Sequence, residues 1–409
     1  MIFVISERGT VNRRRSPETI AVKWHWVVVF CALSTVHCSF AAFEDTGTGA
    51  RAAGLGGEYV ALGDDTLSLM YNPAGLARVK KSELASEYSR LYLGLTDQSN
   101  VGQFFVGYSQ PVKRWGTFAL GWKQFSVDDL YKERTLSLGY GRWLSEHWAA
   151  GLALKQLYHS FGVPNIVVDD AGNVQSGTPA LFANGFSQSA FSTDVGLLYR
   201  PTSRHYVGFS IQDVNQPDVA LSSNDSDRVP QTIRFGYAYQ KLSGLSITAG
   251  FNARKNLGSQ TDYKEIGAVE KWWDTRVAGD WAARGALTWG SRNLRQLSSG
   301  FGYRLHSLQI DYAFIFNTAG ITLGDTAGSQ RFSLAFRFGA STPEPGKPVS
   351  VLKVSTGSIE GLMPFTLEIS SPTPPVGVQN TVPPSSSETP ESEQGESPRT
   401  FPTKHSGGP

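Results

Sequence analysis

Leu245-Ser-Ile247-Thr-Ala249-Gly-Phe251-Asn252 alternates residue by residue, with Leu245, Ile247, Ala249 and Phe251 on one side and Ser246, Thr248, Gly250 and Asn252 on the other. Successive side chains of a β-strand point to opposite faces, so this is a strand with one apolar face and one small or polar face. In Thr232–Tyr239 the same pattern sets Ile233, Phe235, Tyr237 and Tyr239 against Thr232, Arg234, Gly236 and Ala238. It recurs at Phe118/Leu120/Trp122, at Trp148/Ala150/Leu152/Leu154 and at Leu308/Ile310/Tyr312/Phe314/Phe316. Repeated between residues 81 and 339, it predicts about 14 strands, each of the ~9–11 residues that a tilted membrane strand needs.

A soluble sandwich or propeller would also alternate, and two features select a membrane barrel instead. The apolar faces carry Tyr, Trp and Phe towards strand ends, as interfacial girdles require. The connections also alternate in length. Those at 112–114, 145–147, 202–204, 242–244, 274 and 307 are tight, whereas 162–190, 215–229 and 317–329 are long. Short turns on the periplasmic side and long loops outside mark outer-membrane barrels. A propeller would repeat a four-strand unit at fixed period, and none is visible. The last alternating segment, Arg331-Phe-Ser-Leu-Ala-Phe-Arg-Phe338, closes on an aromatic and is similar to the signal read by the barrel assembly machinery. The expected class is therefore all-β, a closed antiparallel transmembrane barrel.

The flanks differ from the barrel. Arg13, Arg14, Arg15 and Lys23 precede an apolar run from Trp24 to Cys38 that ends in Ser39-Phe40-Ala41. That order reads as a signal peptide over residues 1–41, cleaved after Ala41. Both cysteines, Cys31 and Cys38, fall within it, so the mature chain would carry no disulfide or thiolate chemistry. Residues 340–409 hold 13 of the 21 prolines together with Ser and Glu clusters, a composition that buries too little apolar surface to order itself. They read as a mostly disordered periplasmic tail. With 37 Lys+Arg against 35 Asp+Glu, no basic field argues for a nucleic-acid partner.

Between signal and first strand, residues 42–80 contain Gly49-Ala-Arg-Ala-Ala-Gly54-Leu-Gly56-Gly57-Glu-Tyr-Val-Ala-Leu-Gly-Asp64-Asp65-Thr-Leu-Ser-Leu-Met-Tyr-Asn72-Pro73-Ala74-Gly75-Leu-Ala77. Its glycines allow close backbone packing, and Asn72-Pro73 initiates a turn. The small residues from Ala50 to Gly57, the Asp64-Asp65 pair and Asn72-Pro73-Ala74-Gly75-Leu76 resemble the N-terminus of the PorV/PorQ family, which is similar to long-chain fatty-acid transporters of the FadL type. The resemblance implies a 14-stranded outer-membrane barrel with residues 42–80 folded inside as a hatch. It implies one of two functions: a porin-like channel for hydrophobic small molecules, or a component of type IX secretion that binds secreted cargo proteins or a translocon.

Lys123, Lys155, Arg234, Arg254, Asp311, Arg331 and Arg337 fall on the polar strand faces, where pairing with Glu58, Asp64 or Asp65 would hold the hatch. General solvation of the lumen explains them equally well. Gly54-Leu-Gly-Gly57 lacks the Lys-Ser/Thr of a phosphate loop, and Asp64-Asp65 has too few companions for a metal. His147, His205 and His306 fall at short turns. His159 with Asp169-Asp170 resembles an omptin-like protease site only weakly, and a solvated loop accounts for it. The reading is a non-enzyme with no cofactor and no metal. Trp272-Trp273 beside Asp274 would anchor the barrel at the interface. Val163, Ile166, Leu181, Phe182 and Phe186 make the longest loop an entry for apolar ligand.

Overall fold

The alternation becomes β1 (Ser82–Leu91), β2 (Val101–Val112), β3 (Gly116–Val127), β4 (Tyr131–Trp143), β5 (Trp148–Phe161), β8 (Ser187–Thr202), β9 (His205–Gln212) and β10 (Gln231–Gln240). It continues through β11 (Leu245–Lys255), β12 (Asp262–Asp274), β13 (Asp280–Gly290), β14 (Arg295–Leu305), β15 (Leu308–Asn317) and β16 (Ser329–Phe338). A separate two-residue pair, β6 (Val167–Val168) and β7 (Val174–Gln175), lies in the longest connection. The computed structural model describes residues 42–95, 98–162, 167–168, 174–175, 185–222, 226–255, 261–275, 278–319 and 322–342. Residues 1–41, read above as a signal peptide, the chain beyond residue 342, and Val163, Ile166, Asp169, Asp170, Leu181 and Phe182 lie outside the described residues.

Each of these 14 strands pairs antiparallel with its neighbour, and β16 returns to β1 from Ser82↔Phe338 to Arg90↔Gln330. Closure leaves no strand edge unpaired, which a sheet in hydrocarbon requires. The outward positions are large and apolar, including Leu84, Leu138, Phe235, Ile247, Leu287, Phe301 and Phe336, all exposed on the barrel surface. A continuous apolar band around a closed barrel is a lipid-facing surface.

The tight turns fall within one residue of their expected lengths except for one. The connection after β12 spans Thr275–Gly279 rather than Asp274 alone, because pairing runs on through Trp273↔Trp281 to Asp274↔Asp280. Trp272 and Trp273 also part company. Trp273 faces outward, 49% exposed, while Trp272 turns to the lumen side beneath Arg284 and Arg304.

The buried core lies inside the cylinder and is made by residues 42–80. Helix α1 (Ala50–Gly54), helix α2 (Ser68–Tyr71) and a 3-10 turn (Pro73–Arg78) bury Ala52, Leu55, Tyr59, Leu62, Tyr71, Ala74 and Leu76. The wall makes room with glycines. Gly141, Gly151 and Gly196 are cross-strand neighbours, as are Gly208, Gly236 and Gly250. A Cβ on Gly151 would lie 2.2 Å from the Pro73 carbonyl carbon, and one on Gly208 would lie 2.3 Å from Val60 O. These inward glycines form a trough in which the hatch backbone lies.

Candidate functional site

The hatch–lumen contact is the place where this chain gathers buried charge. Asn72 begins the NPAG segment because its Oδ1 accepts the Ala74 N–H (3.1 Å) and caps the 3-10 turn, with Pro73 pre-set at the first position. Its Nδ2 donates to Val60 O (2.9 Å) and Leu197 O (3.1 Å), tying hatch to wall. Gly54 approaches Gly300 so closely that a Cβ would lie 3.1 Å from its Cα, and Gly75 meets Gly63 O at 3.0 Å in the same way. At Gly56 and Gly57 the backbone itself requires glycine, with φ of 66° and 86°.

Asp64 and Asp65 are held by the hatch's own Arg51, whose Nη1 lies 2.7 Å and 3.3 Å from them. Tyr59 also donates its hydroxyl to Asp65 Oδ2 (2.5 Å). The other edge of the same guanidinium grips Glu270 on β12 through Nε (2.9 Å) and Nη2 (3.0 Å). Such a two-bond fork to a carboxylate fixes orientation as well as charge. Glu270 is shared with Arg284 (2.8 Å), which pairs in turn with Asp311 (2.8 Å). Burial alone would raise the Asp64 carboxyl, yet Arg51 and Arg78 hold it well below the usual carboxylate range. Burial, reinforced by Glu83, pushes Asp65 the other way, up to about 7.

The sequence-predicted lumen cations take varied roles. Arg234 reaches Asp45 of the hatch (2.8 Å), and Arg254 donates to Phe43 O (3.0 Å) near Glu44. Arg331 pairs with Glu87 on β1 (2.7 Å) and donates to the Thr46 carbonyl. Arg337 pairs with Glu83 (2.5 Å), which itself accepts the Thr66 N–H (2.8 Å). Lys155 binds wall groups, Asp194 (2.7 Å) and Asp213 (2.6 Å), and Lys123 lines a small void beside it. None of these cations reaches Glu58, Asp64 or Asp65 within salt-bridge distance. Glu58 instead sits over Gly236 and Gly250, where its oxygens meet no hydrogen bond of ordinary geometry. Burial raises its pKa to about 8, although Arg234 and the Val60 and Ala61 amides pull the other way.

The reading from sequence missed Arg51, Glu270, Glu83, Glu87 and Asp45. Arg51 was legible as the lone charge in an Ala/Gly run. Glu270, Glu83 and Glu87 were legible as acids on inward strand positions, and their partners were not. His159 donates from Nε2 to Val219 O (2.8 Å) and packs edge-on against Phe43. Around it, at the end with the long connections, Ala42, Phe125, Tyr131, Phe161, Glu133 and Asp227 line a cavity of about 330 Å³.

Residues 130–336 match a protein family described as type IX secretion system membrane protein PorP/SprF. No curated protein matches the chain. Among solved structures, the CymD monoaromatic hydrocarbon channel is 15% identical with a TM-score of 0.52, covering 73% of this chain and 99% of that one. A TodX deltaS2S3 mutant monoaromatic hydrocarbon channel is 11% identical with a TM-score of 0.50, covering 71% and 98%. A FadL homologue of Pseudomonas aeruginosa is 13% identical with a TM-score of 0.48, covering 71% and 98%. The first two share the fold of this chain, a closed β-barrel.

Proposed function

We propose, for a chain that belongs to the PorP/SprF family of type IX secretion system membrane proteins, an outer-membrane channel for hydrophobic small molecules that its N-terminal hatch keeps closed. The chain would reach the outer membrane through a cleaved signal peptide and the barrel assembly machinery, with the short turns and both chain ends in the periplasm. The observation that carries this reading is the lumen. Residues 42–80 fill it, joined to the wall through the chain where Lys81 leads into β1 and held along the rest of their length by non-covalent contacts, among them the ion pairs Arg51–Glu270 and Arg234–Asp45. Such contacts close the route and can be exchanged for others when the hatch shifts. Above the hatch, the cavity of about 330 Å³ bordered by Phe125, Tyr131 and Phe161 gives an apolar solute a first resting place. Fold alone does not select a solute. The hydrocarbon channels of the same fold make a monoaromatic compound the first probe, and a long-chain fatty acid the second. Whole-cell uptake of labelled toluene and oleate should depend on the protein, and uptake unchanged in cells lacking it would overturn the reading.

Family membership favours a second reading, in which the barrel docks secreted cargo or a translocon of type IX secretion and passes no solute. Affinity purification from outer membranes separates the two. Reproducible recovery of secretion components supports docking, and recovery of the barrel alone sinks it.

A further inference from the structure

Residues 42 and 43 are gripped more completely than the start of a connecting segment requires. Ala42 borders the same cavity as Asp227, and its backbone amide opposes the rise that burial gives the Asp227 carboxyl. Glu133 Oε1 accepts the N–H of Phe43 (2.7 Å) and also the Tyr131 hydroxyl (2.8 Å). The Arg254 guanidinium donates to Phe43 O (3.0 Å). The Ala42 methyl is buried with Leu157, Val219 and Val229. Phe43 takes a φ of 60°, a conformation that L side chains adopt only when their surroundings hold them there. Here the ring is held against His159 at 6.1 Å.

Two further features surround Ala42. It lines the 330 Å³ cavity whose wall also includes Glu44, Glu133 and Asp227, together with Tyr131 and Phe161. His159, 2% exposed, spends its Nε2–H on Val219 O, which leaves Nδ1 an acceptor with no partner among the described residues. A neutral amide offers this surround of acceptors one proton. An ammonium offers three and a full positive charge, and its hydrogen bonds to carboxylates are the stronger kind. Faces of aromatic rings also attract a cation.

We propose that Ala42 is the first residue of the mature protein and that its α-ammonium is seated on Asp227 within this cavity, fastening the outer end of the hatch. Hydrolysis of the Ala41–Ala42 amide by a leader peptidase consumes one water. The hydroxyl goes to the Ala41 carbonyl to give a carboxylate, and the Ala42 nitrogen gains protons to become the ammonium. The Ser39-Phe40-Ala41 end of the apolar run supplies small residues where a leader peptidase needs them. The inference requires no solute to cross the barrel, though the seat lies in the cavity given above to the solute as its first resting place.

The test uses the full-length precursor expressed with its own leader and purified from outer membranes. N-terminal sequencing should read Ala42-Phe43-Glu44, and any other first residue overturns the proposal. An α-amine-selective aldehyde at neutral pH should then label the folded barrel at least tenfold more slowly than the same protein unfolded in denaturant. Asp227→Asn should recover most of that rate, and a folded wild type that labels as fast as the unfolded chain overturns the seating. Should Asp227→Asn fail to assemble, one glycine inserted after Ala42 serves instead. It displaces the ammonium by a residue and must raise labelling while the barrel still forms, and unchanged protection there also refutes the seating.

Discussion

The inward glycine trough makes Gly151→Ala a sharp test of the hatch. The added methyl would lie 2.2 Å from Pro73 C, 2.3 Å from Ala74 N and 2.4 Å from Pro73 O, against an ordinary contact of 3.4 Å or more. All three are backbone atoms in a capped turn, so no side chain can rotate away and the hatch must move by about 1.2 Å. Overpacking of this kind costs ~1–3 kcal/mol, and three simultaneous clashes put it near the upper value. About 3 kcal/mol raises the released population roughly a hundredfold, at 1.4 kcal/mol per decade. Gly267→Ala is the control, since nothing lies within 4 Å of its new methyl and the chain loses the same glycine freedom. No cysteine follows Cys38, so Ala52→Cys, buried in the hatch, is a unique reporter for maleimide in both backgrounds. When reclosing outpaces labelling, the rate follows the open population. Gly151→Ala should therefore label about a hundredfold faster than Gly267→Ala. Equal rates in the two would refute the claim that the wall glycines exist to seat the hatch.

Arg51→Met removes the shared cation from Glu270, Asp64 and Asp65, leaving Glu270 with Arg284 and Asp65 with Tyr59, and breaking a buried pair costs ~3–5 kcal/mol. The Ala52→Cys reporter should speed up at least as much as with Gly151→Ala, and adding Glu270→Gln should recover part of the loss. Hatch docking should also weaken with rising pH through Glu58. Its docked pKa of about 8 lies above its ordinary 4.5, so the docked state holds a proton that the released state gives up. The contribution is complete below about 4.5, shrinks through the window and is gone above about 8, worth at most ~5 kcal/mol. Labelling followed from pH 5 to 9, taken relative to the unfolded protein so that the thiol's own ionisation cancels, should rise up to about pH 8 and then level, and Glu58→Gln should remove that rise. Replacing Lys155 with Met leaves Asp194 and Asp213 facing each other and should lower the thermal midpoint in detergent by several degrees. Outward Trp148, Trp273, Trp281 and Trp289 should be quenched by brominated lipid, and unquenched fluorescence would contradict a lipid-facing surface.

The strand alternation determined most of the architecture without the fold. A period of two with one apolar face admits few solutions, and alternating short and long connections leave a membrane barrel among them. The strand count and nearly all the turns follow from that local pattern. The hatch motif was equally local: Asn72 caps, Pro73 presets the turn, and Gly56 and Gly57 adopt backbone angles that other residues resist. Only the closed cylinder decided which charge meets which. Arg51 and Glu270 stand 219 residues apart in sequence, and Arg331 and Glu87 stand 244 apart. Strand register brings Arg331 to Glu87, and docking of the hatch inside the cylinder brings Arg51 to Glu270; a polar strand face read alone is the same whether its partner is hatch, neighbouring strand or water. Trp272 and Trp273 show the same division, since adjacent residues on a strand must face opposite ways and only the barrel says which way is in. The trough of glycines belongs to tertiary structure too, because a missing Cβ acquires meaning when another backbone occupies its place.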